Sequence, residues 1–158
     1  MAKGKVSPEL IEQFKQIVGE KYVYTDKDKL EPYSHDEVTD PHYMKEPQVV
    51  VLPATTEEVS KVVKLCYEND TVMVPRAAGT GLAAGAVATF GGVIISIERM
   101  NKILEIDKDN MVCVSEAGVT TSVLQEAVQK EGLFYGGDPC SGDSCFISGN
   151  VATNAGGN

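Results

Sequence analysis

The sequence predicts an α+β fold, with a small parallel βαβ subdomain followed by a mainly antiparallel β subdomain with helices. Three observations carry this. Two short β-branched runs flank an amphipathic helical stretch between positions 48 and 75. Three strand-like segments joined by short polar turns follow over 91–119. Two segments made almost entirely of small residues, 75–86 and 135–158, interrupt the apolar pattern.

The elements follow in chain order. Ser7 before Pro8 is a helix start, an N-cap and a residue already held at helical φ, and Leu10, Ile11, Phe14, Ile17 and Val18 recur on one face until Gly19. The charged, Tyr- and Pro-rich stretch beyond it keeps no period, so 1–46 reads as a helix plus an irregular connection containing one helical turn. "QVVVLP" is a continuous apolar run closed by Pro53, the pattern of a buried strand. Thr55 with Glu58 makes a capping box, and Val59, Val62, Val63 and Cys66 form the stripe of a helix. "TVMVP" completes a strand–helix–strand unit, hence a parallel pair. The three segments of 91–119 are expected to pair antiparallel with one another. Thr120 is then expected to cap a helix carrying Leu124, Ala127 and Val128, stopped at Gly132. The chain ends within the second small-residue segment, so 47–158 reads as the N-terminal portion of a larger domain.

Of 158 residues, 42% are hydrophobic, enough for a modest core. The net charge of -9, with scattered Lys and Arg, speaks against a nucleic-acid partner. With no apolar run long enough for a signal or a membrane span, a cytoplasmic chain is expected. The four cysteines are read as free thiols. Cys140 and Cys145 with His35 and His42 are spaced too loosely for a zinc site, and no metal is expected.

The stretch "PRAAGTGLAAGA" (75–86) begins where the second strand ends, the place where ligands collect on open α/β sheets. Consecutive small residues let backbone N–H groups converge on one anion, and a pyrophosphate rewards this most, with Arg76 the only nearby cation. A P-loop fails because no Lys follows the last glycine. Gly79, Gly81 and Ala84 formally satisfy G-x-G-x-x-A, and a nicotinamide-nucleotide domain then requires a helix directly after Gly81. A glycine-rich surface turn also accounts for the local pattern.

Beyond local pattern, "VPRAAGTGLAAGAVATFGGVIISIERMNKILEID", "EAGVTTSVLQEAVQKEGLFYGGDP" and "ISGNVATNAGG" resemble, in order and spacing, the PCMH-type FAD-binding domain of the FAD-linked oxidases related to vanillyl-alcohol oxidase. The resemblance is closest to the branch of the glycolate oxidase FAD subunit and D-lactate dehydrogenase. It implies that Arg76, Ala77, Ala78, Gly79, Thr80, Gly81 and Leu82, continuing to Gly85 and Ala86, hold the FAD pyrophosphate through backbone contacts. It likewise implies that Pro139, Ser141, Ser144, Cys145, Ile147, Gly149, Asn150, Thr153, Asn154 and Gly157 lie along the flavin and its ribityl chain. Ala77 and Ala78 stand where the family commonly has glycine, and Ser148 replaces the first glycine of the usual Ile-Gly-Gly-Asn. Tyr33 and Asp36 match a recurrent family position with an expected packing role. The implied parent enzyme moves a hydride from a small 2-hydroxy acid to FAD. Electrons then pass to an iron–sulfur subunit, an electron-transfer flavoprotein or a quinone. Catalytic residues in that family come from later parts of the chain, and none is assigned. The alternative is a cofactor-free folded fragment or a stand-alone binding module.

Overall fold

A computed structural model describes residues 5–157, which form two compact units divided between Arg99 and Met100. In the first, helix α1 (Pro8–Val18) starts as its sequence requires: the Ser7 hydroxyl accepts the Leu10 N–H at 3.2 Å, and Gly19 ends the helix at φ +90°. Its stripe buries Leu10, Phe14 and Val18 against strands β1 (Val23–Tyr24) and β2 (Val49–Val51) and helix α3 (Thr56–Glu68).

The stretch expected to be irregular is more ordered than its pattern shows. It holds β1, the short helix α2 (Lys27–Leu30) and three 3-10 turns. β1 pairs antiparallel with β2, Val23 opposite Val51 and Tyr24 opposite Val50. A two-residue strand is too short to carry a period, so only its partner reveals it.

A second correction concerns β4 (Val93–Ser96), expected to pair antiparallel with the strands that follow it. It lies instead between β2 and β3 (Met73–Arg76), parallel to both, in a sheet of order β1-β2-β4-β3. All four β4 residues are buried, as a central parallel strand covered on both faces requires, and such a run carries no mark of its partner. Among the described residues, the antiparallel pair of the second unit is therefore β5 (Ile103–Asp107) with β6 (Val112–Ser115), offset by a bulge between Ile103 and Glu105.

The α3 start behaves as a shifted capping box. Thr55 Oγ1 accepts the Glu58 N–H at 3.1 Å, while the Glu58 carboxylate reaches back to the N–H of Ala54, at 2.7 Å. Val62 and Cys66 are fully buried, whereas Val63 is 37% exposed and lies off the stripe. In the second unit, Thr120 occupies the N-cap position of helix α4 (Thr121–Lys130), but its hydroxyl caps nothing. Its backbone bridges Phe146, so the segment is held by that pairing.

Burial pushes the Cys66 thiol up from 9.0 to about 11. The folded chain keeps a proton that the unfolded chain releases above about pH 9. This stability is complete below that pH and is lost as pH rises toward 11. Urea midpoints are expected to fall between about pH 8 and about pH 10.5, and Cys66→Ala is expected to flatten the fall.

Candidate cofactor-binding site

The candidate anion site is the loop that leaves β3 at Arg76, at the carboxyl end of a parallel strand. No helix forms between Ala77 and Gly92, which excludes the nicotinamide-nucleotide reading that required one after Gly81. Among the described residues, none of the ten backbone N–H groups from Ala77 to Ala86 has an acceptor within the chain. Loop carbonyls, by contrast, are engaged: Gly81 O accepts from Glu37 N at 3.0 Å and Ala84 O from Val87 N at 3.2 Å. The Ala86 carbonyl takes an N–H from Arg76 Nη1 at 3.1 Å. What the loop has left to offer is a run of amide donors, which suits a polyanion.

Gly79 adopts φ +76°, and a Cβ built on it would fall on the Arg76 guanidinium, within 2.6 Å of Cζ. Ala77 and Ala78 lie outside the positive-φ region, so alanine fits at both positions. Ala84 takes φ +55°, a left-handed turn without glycine. Leu82 projects to solvent, 76% exposed, and Thr80 is half-buried.

Arg76 does not present its charge to the loop's open side. Its side chain is 7% exposed, and Nη1 donates to His35 O at 2.8 Å as well as to Ala86 O, while Nη2 donates to Pro32 O at 3.1 Å. The guanidinium lies 5.5 Å from the Tyr33 ring centre. Tyr33 donates its hydroxyl to Glu98 Oε2 at 3.0 Å, and Ser96 Oγ donates to the same oxygen at 3.0 Å. Burial, then the Glu98 carboxylate, pushes the Tyr33 phenol well above its ordinary value. Asp36 is 5% exposed; Oδ1 accepts the Val38 N–H at 3.0 Å, and Oδ2 has no hydrogen-bond partner among the described residues. Glu98 and the carbonyls of Pro32 and His35 escaped the sequence reading, because a backbone acceptor carries no residue signature.

The second small-residue segment lies in the other compact unit. Helix α5 (Ile147–Thr153) starts where Ile147 N and Ser148 N donate to Val119 O and Ala117 O, at 2.9 and 3.2 Å. Two of the segment's expected ligand residues, Cys145 before α5 and Asn150 within it, turn inward. Asn150 Nδ2 donates to Thr121 Oγ1 at 2.7 Å, and that hydroxyl lies 3.1 Å from Cys145 Sγ and 3.3 Å from Cys145 O. Asn150 and Cys145 are 7% and 2% exposed. Thr121, also unread in the sequence, is the hub that ties the segment to α4. Ser144, Thr153, Asn154 and Gly157 are exposed, while Pro139, Ser141, Ile147 and Gly149 are half-buried. Gly157 pairs with Asp138 at φ +77°, where a Cβ would meet the Asp138 carbonyl.

Comparison with known proteins fits this geometry. The family profile described as FAD binding domain matches residues 47–158. This chain belongs to the FAD-binding domain family. The family's cofactor is FAD, and a loop with a surplus of amide donors fits its pyrophosphate. A D-lactate dehydrogenase of Anaerostipes hadrus is 46% identical over 156 residues, covering 98% of this chain and 32% of that protein. The glycolate oxidase subunit GlcD of Bacillus subtilis is 39% identical over 125 residues, or 79% of this chain and 26% of that one. The chain thus spans a third or less of these relatives' length. Among solved structures, an alkyldihydroxyacetonephosphate synthase superposes with TM-score 0.87 at 24% identity, over 99% of this chain and 30% of the other, which shows the shared PCMH-type fold. Among the described residues, no helix is long and apolar enough to cross a membrane, and no group of three or more His, Cys, Asp or Glu is placed to hold a metal.

Proposed function

We propose that this chain is the FAD-binding portion of a flavin-dependent dehydrogenase or oxidase acting on a small 2-hydroxy acid of the D-lactate or glycolate class. The observation that carries the reading is the run of ten amide donors at the carboxyl end of β3 that find no acceptor among the described residues, in a chain similar over most of its length to enzymes with those names. When bound, FAD supplies the acceptor for the hydride that leaves the substrate's α-carbon. The residues of this chain bind and orient. The amides of 77–86 hold the pyrophosphate, with Gly79 keeping the loop clear of any side chain over Arg76. Ser144, Thr153 and Asn154 offer small polar groups along the flavin, while the inward side chains of Cys145 and Asn150 fix the backbone that carries them. The proton acceptor for the substrate hydroxyl belongs to the part of the enzyme outside this chain. The electrons go on to an iron–sulfur subunit or an electron-transfer flavoprotein. A cytoplasmic setting suits the four unpaired cysteines.

The test is titration of the purified chain with FAD, followed by quenching of flavin fluorescence. Saturable binding is expected, and the triple change Gly79→Val, Gly81→Val and Gly85→Val is expected to abolish it. Unquenched fluorescence with the unaltered chain, or equal binding by the triple variant, overturns the assignment.

A further inference from the structure

We infer that the Arg76 side chain is the positioning residue of the anion loop, a strut that fixes its shape without binding the anion. The inference rests on the loop being the pyrophosphate site. Three observations carry it.

The guanidinium is committed elsewhere. Both Nη1 donors are used, one on His35 O and one on Ala86 O, and Nη2 holds Pro32 O. One rigid fork therefore ties the end of the loop to the turn at 32–35. The N–H of Glu37 on Gly81 O adds a second tie at the loop's middle. With its carbonyls pinned at Gly81 and Ala86, the loop keeps its N–H groups free for a ligand. Next, the guanidinium fills the space under Gly79 that a Cβ would need, so the loop is moulded over it. Finally, the guanidinium is buried. Arg76 is 7% exposed and its guanidinium lies 5.5 Å from the Tyr33 ring centre, so its charge is enclosed beneath the loop.

A planar fork can bridge two chain segments where a lysine ammonium offers a single point of attachment. Preserving the charge is thus not expected to preserve the role. In Arg76→Lys without ligand, the Glu37 N–H is expected to lose at least tenfold of its protection from hydrogen exchange. The Lys45 N–H, bonded to Ser34 O at 2.7 Å within the same turn, and the amides of β4 are expected to keep theirs. The FAD dissociation constant is expected to rise at least tenfold, as it does in Arg76→Met. If Arg76→Lys retains FAD affinity and Glu37 protection while Arg76→Met loses affinity, the charge is what matters and the strut is overturned. Loss of Lys45 and β4 protection together with that of Glu37 also overturns it, since Arg76 would then be a general folding residue. The ligand-free exchange decides the strut even if the unaltered chain fails to bind FAD, so the two readings fail separately.

Discussion

Gly79→Val is expected to weaken FAD binding roughly 10- to 100-fold, whereas Gly85→Ala leaves it unchanged. The sequence treats the loop glycines alike, but their surroundings differ. Gly79 sits at φ +76° on top of the Arg76 guanidinium. A β-branched residue at positive φ is a genuine outlier. Restoring the binding geometry against such strain costs about 1–3 kcal/mol, and 1.4 kcal/mol corresponds to about tenfold in affinity. The added side chain also displaces the fork that pins the loop. Gly85 has negative φ and no atom within 4 Å of a Cβ placed there, and the nearest atom to one on Gly81 is Asp36 Oδ2 at 4.0 Å. FAD titrations of the single variants check this ordering. Equal affinity for Gly79→Val and the parent chain would sink the view that Gly79 shapes the site.

Phe14→Ala is expected to lower the unfolding free energy of the first unit by about 3–5 kcal/mol. Phe14 is wholly buried, within a cluster that joins α1 to β1, β2, β4 and α3 through Val23, Val49, Val51, Val62, Cys66, Val93 and Ile95. Removing the ring leaves a cavity lined by several elements at once, which the sheet cannot close by moving one helix. A small domain holds only about 5–15 kcal/mol in total, so the loss is a large fraction of it. Denaturant unfolding followed by far-UV circular dichroism measures the change. A loss under about 1 kcal/mol would show that α1 frays apart from the sheet and lies outside the cooperative core.

Local chemistry made much of this molecule readable in its sequence. Ser7–Pro8 and Gly19 bound α1 where they stand, because caps act within a single turn. The stripe of Leu10, Phe14 and Val18 faces the core, since helical periodicity leaves it one side to bury. Residue pattern is less informative where a partner distant in sequence decides. β1 is invisible without β2. The buried run of β4 is compatible with any neighbour that covers both faces. Thr120 was the obvious cap by residue type, yet the buried polar hub is its neighbour Thr121, because Cys145 and Asn150 come to it from more than twenty residues away.

The candidate site divides along the same line. That 75–86 offers its backbone to a ligand was determined by the sequence itself, because a row of small side chains leaves little else to make contact. The motif resemblance to the FAD-linked oxidases was likewise carried in residue order and spacing. Only the tertiary structure decided that a side chain on Gly79 would be strained and displace the Arg76 guanidinium while one on Gly85 would meet nothing, and that Arg76 grips three carbonyls beneath the loop. It alone turned Asn150 and Cys145 inward to Thr121. The physical reason is common to all three. Each depends on atoms far apart in the chain meeting within hydrogen-bond or van der Waals distance, and no local pattern of residue types encodes which of them will meet.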